Sequence, residues 1–155
     1  MSHPVDELIQ RLDSFVPCDN DVDSVNILYE ITDNFDGIEA PEKAVPRMFA
    51  LLEKFPDAEL GTPGPLVHCI ESVDGYESQL IESIHRRPTY LTVWMVNRRL
   101  NSTLTEEERT TFLEILNAVS KNKALLDLAD DAAQLLEYQN LRLDNSSKRS
   151  DDCHE

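Results

Sequence analysis

Residues 19–30, DNDVDSVNILYE, admit two incompatible readings, and the choice between them decides the fold. Asp19, Asp21 and Asp23 stand where an EF-hand loop puts its first three ligands, and Glu30 stands where it puts its bidentate glutamate. Such a loop turns sharply on a left-handed glycine, but Ser24 occupies that position and takes the conformation only at a cost. Val25, Leu28, Ile31 and Phe35 meanwhile recur at helical spacing, beginning inside the supposed loop. A metal loop stays non-helical almost to its end, so the period predicts a helix over 22–35, with Asp21 or Asp23 capping or charging its N-terminus. The reading calls for no metal and no cofactor. A calcium-binding regulator rests on the ligand spacing alone.

On that helix Asp23, Asn26, Glu30 and Asp33 form one polar stripe opposite the apolar face. Asp19 and Asp21 precede the stripe, and Asp36 and Glu39 extend it. The stripe is either an ordinary solvated face or a docking surface for a cationic partner. Tyr29 and Tyr76 lie beside carboxylates, which suits recognition of a basic protein, since aromatics supply contact area and acids supply steering. The same tyrosines could equally be half-buried packing residues.

The other segments are helical as well. Apolar spacing predicts helices over 4–16, 42–55 with Pro46 in or near its first turn, 76–87 with Tyr76, Leu80, Ile81 and Ile84 inward, about 105–121, and about 124–142. Between them, FPDAELGTPGP (55–65) is the longest loop and PLVHCIESV (65–73) a short helix. TYLTVWMVNRRL (89–100) is apolar nearly all round, which marks a covered central helix with Trp94 in the core. Thr105 and Glu108 have the spacing of a capping box. The fold class is all-α, with about eight short helices in antiparallel pairs. A 30 to 35-residue recurrence of helix, proline and a more apolar helix suggests a HEAT-like irregular α-solenoid, with a compact helical bundle as the alternative. The expected organisation is a single helical domain over 1–143 and a disordered tail over 144–155.

The chain has 155 residues and a formal charge of −16, unevenly spread. Residues 1–83 hold 18 acids and 4 bases, and residues 84–155 hold 12 acids and 10 bases. Such a surface repels nucleic acid and anionic membrane and attracts basic partners. The basic spots HRR (85–87) and NRR (97–99) sit at two helix ends and form no stripe. No apolar run has membrane-spanning length. Three cysteines without ligand spacing, and no signal-like N-terminal run, suggest a reduced cytoplasmic protein.

Catalytic patterns are weak. Cys69 follows His68, but helix neighbours diverge by about 100° and do not pair. GTPGP (61–65) lacks the lysine and hydroxyl of a phosphate loop. Glu71, Asp74 and Glu77 form a second acidic group in the sequence. The residues favoured for partner binding are therefore Asp19, Asp21, Asp23, Tyr29, Glu30, Asp33, Asp36, Glu71, Asp74, Tyr76 and Glu77, and none is assigned to catalysis or metal.

GTPGPLVHCIE (61–71) and RRPTYLTVWMVNRRLN (86–101) resemble a stretch of the small, acidic, helical bacterial immunity proteins of contact-dependent growth inhibition and polymorphic toxin systems. The resemblance covers roughly residues 44–101, through positions such as Pro63, Pro65, Pro88 and Trp94. It implies a non-enzymatic cytoplasmic inhibitor that binds a cognate toxin domain, in many cases a nuclease with a basic cleft, as a monomer in a 1:1 complex. It carries over no binding residue. The rival expectation is a HEAT-like scaffold or adaptor for a host-cell protein.

Overall fold

The computed structural model describes the backbone of residues 3–152 and the side chains of residues 3–143. Among the described residues every regular element is helical, so the all-α expectation holds. Eight α-helices run in order: α1 (Pro4–Ser14), α2 (Asp21–Thr32), α3 (Val45–Lys54), α4 (Pro65–Glu71), α5 (Tyr76–Arg86), α6 (Tyr90–Leu100), α7 (Glu106–Ser120) and α8 (Leu126–Asp152). Two short 3-10 turns, Phe35–Gly37 and Pro41–Ala44, lie between α2 and α3. The chain divides into two compact units, Met1–Thr92 and Val93–Glu155. The expected tail at 144–155 lies outside the residues whose side chains are described.

In the first unit α1 packs on α3 and α3 on α5, while α2 packs on α4. Elements two apart in the chain are thus neighbours within this unit. Leu12, Leu28, Met48, Phe49, Leu52, Leu66, Ile70 and Leu80 fill that core. Phe15 and Phe55 meet edge to face, with centroids 6.4 Å apart, where α1 and α3 end. Pro46 sits in the first turn of α3, where its missing N–H costs nothing.

One polar cluster joins α3 to α5, and another closes the start of α6. The Glu53 carboxylate of α3 accepts from Arg86 Nε at 2.9 Å and Nη2 at 3.1 Å, and from the buried Ser83 hydroxyl at 3.0 Å. Its hydrogen bond to Arg86 raises that guanidinium's pKa above the ordinary value. At the start of α6, Thr89 and Thr92 are both buried and cap each other. The Thr92 amide donates to the Thr89 hydroxyl at 3.2 Å, and the Thr89 amide donates to the Thr92 hydroxyl at 3.0 Å. This is a threonine version of the capping box, and it satisfies a helix end that water does not reach.

The GTPG turn leads into α4. Gly61 and Gly64 have φ of 120° and 88°, and the Thr62–Pro63 bond is cis. A Cβ on Gly61 would overlap the Gly64 backbone, and a Cβ on Gly64 would overlap the Leu60 carbonyl. The backbone crosses itself here too closely for any other residue.

In the second unit α7 packs on α8 through Phe112, Leu116, Val119, Ala129 and Ala132. The Thr105–Glu108 box forms as its spacing predicts, with the Glu108 amide donating to Thr105 Oγ1 at 3.1 Å. The buried Gln139 donates to Asn97 Oδ1 at 2.7 Å and Asn101 Oδ1 at 2.9 Å, pinning α8 to the end of α6. Arg142 adds a bond to Asn101 Oδ1. Leu91, Val93, Met95 and Val96 of α6 are buried, as its apolar composition predicts. Trp94 departs from the expected core position. It is half-buried, with the Arg98 guanidinium 5.3 Å from its ring centroid, because it shares the helix face of Arg98 one turn on.

The glycines rank by their surroundings. Gly37→Ala should leave stability nearly unchanged, since nothing approaches its Cβ position. Gly75→Ala should cost about 1 kcal/mol for its left-handed φ alone. Gly61→Ala and Gly64→Ala should cost roughly 2 kcal/mol or more, from strain plus overlap. Urea denaturation of the four variants checks the order.

Candidate partner-binding face

The face is set by how α2 begins. Asn20 has extended backbone angles and its Oδ1 accepts from the Val22 amide at 2.8 Å, so Asn20 is the cap, and Asp21 and Asp23 sit in the first turn. Ser24, at the position a calcium loop reserves for glycine, is 1% exposed. Its Oγ accepts from the Cys18 amide at 2.8 Å and donates to the Asn20 carbonyl at 3.4 Å. The supposed ligand loop is therefore a capped helix start, and its carboxylates do not converge. Among the described residues no group of three or more His, Cys, Asp or Glu gathers as a metal site would require.

Ser24, Leu28 and Ile31 point inward and fix the helix phase. At about 100° per residue, Val22, Asp23, Asn26, Tyr29, Glu30 and Asp33 fall in one arc of roughly 120°. All six are exposed. The stripe read from Asp23, Asn26, Glu30 and Asp33 is thus present, and Tyr29 joins it, 49% exposed. The helix ends earlier than periodicity suggests, at Thr32, whose hydroxyl turns back onto the Leu28 carbonyl at 2.8 Å. Phe35 then continues the buried face from a 3-10 turn.

The acids of this face are uncompensated. Among the described residues Asp19, Asp21, Asp23, Glu30, Asp33 and Asp36 are exposed and form no ion pair. Two cations of the same unit pair elsewhere, Arg47 with Asp13 at 3.6 Å and Arg86 with Glu53 at 2.9 Å. Glu30 and Asp33 also stand at the C-terminal end of α2, which holds no basic residue in its last turn. Carboxylates there oppose the helix dipole, at about 0.3–1 kcal/mol each. Folding does not reward this arrangement.

The second acidic group divides. Asp74 is exposed, while Glu71 and Glu77 are half-buried. Tyr76 is 7% exposed and packs inward with Leu80 and Ile84, so it is corrected from a partner contact to a core residue. Its position i−4 to Leu80 decides this, not its acidic neighbours in sequence. α4, which ends at Glu71, packs on α2.

Sequence reasoning missed Val22, 65% exposed beside these acids, and Val16 just before them, 66% exposed. The phase of Val22, three residues before Val25 and seven before Tyr29, was the available signal.

Other chemistry is sparse. Burial pushes the Cys69 thiol up to about 11, Thr32 opposes this by hydrogen bonding, and the Asp36 charge adds to it. Cys69 is therefore a protonated packing residue, unlike a nucleophile activated by a lowered pKa. A cleft of about 80 Å³ between α1 and the end of α2, lined by Leu8, Arg11, Ile31 and Phe35 among others, is well below the size of a ligand pocket. No described helix is long and apolar enough to cross a membrane. No family model, curated protein or solved structure matches the chain.

Three outcomes follow from these environments. Glu30→Gln with Asp33→Asn should raise the stability of the free protein by about 0.5–1 kcal/mol at low salt, read by urea denaturation. Unchanged or lowered stability would mean that these carboxylates have partners in the fold. Iodoacetamide at pH 8 should alkylate the exposed Cys18 and spare Cys69, read by peptide mass spectrometry. Because the folded Cys69 pKa is raised, the unfolded thiol ionises first, so stability falls as pH rises from about 9 toward 11.

Proposed function

We propose that this chain is a non-enzymatic immunity protein that binds a cognate toxin domain in the cytoplasm and neutralises it. The toxin would be a nuclease, most simply a ribonuclease, with a basic substrate-binding surface. The observation that carries the reading is the α2 face, where exposed carboxylates form no ion pair among the described residues and two of them stand against the helix dipole. Local rules broken without a compensating gain in the fold are expected where a surface serves a partner. The resemblance of residues 44–101 to immunity proteins supplies the partner class.

Inhibition on this reading needs only occlusion. Asp19, Asp21, Asp23, Glu30, Asp33 and Asp36 steer a basic surface inward and set the rate of encounter. Tyr29 and neighbouring apolar groups slow release. A second reading, a HEAT-like adaptor for a host-cell protein, draws on the alternate packing of α1, α3 and α5 against α2 and α4. It shares the acidic face and differs in the partner's gene context.

Association with the toxin domain encoded beside this chain's gene is the test. Its rate should fall about tenfold or more as salt is raised through the Debye regime. Glu30→Lys with Asp33→Lys, placed at exposed positions where a cation suits the helix end, should slow association by a similar factor. A rate indifferent to both salt and reversal would remove the electrostatic face, and no association at all would remove the immunity reading.

A further inference from the structure

Charge explains the steering of a partner to α2 but not the two apolar side chains set among the carboxylates. Val22 and Tyr29 are 65% and 49% exposed, and neither serves the core. They lie seven residues apart on one face, about 10.5 Å along the axis. Val25, half-buried, lies between them, three residues from one and four from the other. This 3-4 spacing is the seam by which one helix takes another lengthwise. Asp23, Glu30 and Asp33 line one side of the seam, exposed and without ion pairs among the described residues.

The occupant's chemistry follows by comparison. Among the described residues the regular structure is wholly helical, so no sheet edge is open to an added strand. A second copy of this chain would bring identical carboxylates face to face across a two-fold axis. Nucleic acid is repelled by the same charges. A helix with an apolar stripe and basic flanks satisfies both the seam and its rim.

We infer that α2 receives a cationic amphipathic helix of the partner. Its apolar residues at i, i+3 or i+4, and i+7 pack on Val22, Val25 and Tyr29, while lysines or arginines beside that stripe meet Asp23, Glu30 and Asp33. This rests on the proposed function for the partner's basic character and goes further by naming the element that makes the contact.

The probe is a three-heptad peptide with leucine at a and d and lysine at e and g, compared with a scrambled peptide of the same composition. Fluorescence anisotropy against the full chain should show the amphipathic peptide binding at least tenfold more tightly. Val22→Ser with Tyr29→Ser, both at exposed positions, should erase that advantage without changing the circular dichroism. Glu30→Lys with Asp33→Lys should weaken both peptides. Equal affinity for the two peptides, or an advantage that survives loss of Val22 and Tyr29, overturns the helix seam and leaves the acidic face standing. Indifference to the charge reversal overturns the acidic face itself.

Discussion

One buried hydroxyl decides what this chain presents to its surroundings. Ser24 is covered by the core, takes the Cys18 amide and returns a bond to the Asn20 carbonyl. With both polar functions satisfied its burial costs little, whereas an unpaired hydroxyl there would cost about 1–3 kcal/mol. The bond fixes the chain before α2 and the rotational setting of the helix after it. From that setting everything outward follows: Leu28 and Ile31 go to the core, and Asp23, Glu30 and Asp33 go to solvent. Had α2 been turned by a quarter, the acids would have met α4 and the helix could not have packed.

Much of this was legible in the residues. The apolar period placed most helix starts within a residue or two, since a helix needs its face buried and the face repeats every 3.6 residues. The Thr105–Glu108 box and Pro46 read correctly because their physics is local, confined to a few residues of backbone. The stripe of Asp23, Asn26, Glu30 and Asp33 was legible for the same reason. Tyr76 stands between acids in the sequence yet faces the core, because its spacing to Leu80 and Ile84, not its sequence neighbours, sets its side of the helix.

The rest depended on contacts that no local pattern encodes. That Ser24 is a core residue follows from a loop amide six positions earlier. That Trp94 lies half-open under Arg98 follows from which side of α6 is covered. The need for glycine at both 61 and 64 arises because the backbone meets itself, an approach set by the path of the chain and by no residue pattern. The reciprocal threonine pair at the start of α6 was hidden by its chemistry, since threonine answering threonine lacks the glutamate that usually announces a box.

The uncompensated carboxylates of α2 carry one more consequence. Each close pair, such as Glu30 with Asp33, stores a few tenths of a kcal/mol of repulsion in the free molecule. Counter-ions relax that repulsion, and so does any cationic surface that settles over the helix. On the proposed reading, added salt would act in opposite senses, firming the lone chain while loosening its hold on a basic partner. A molecule arranged this way is least comfortable alone in dilute solution, and on the proposed reading a cationic partner would relieve that repulsion.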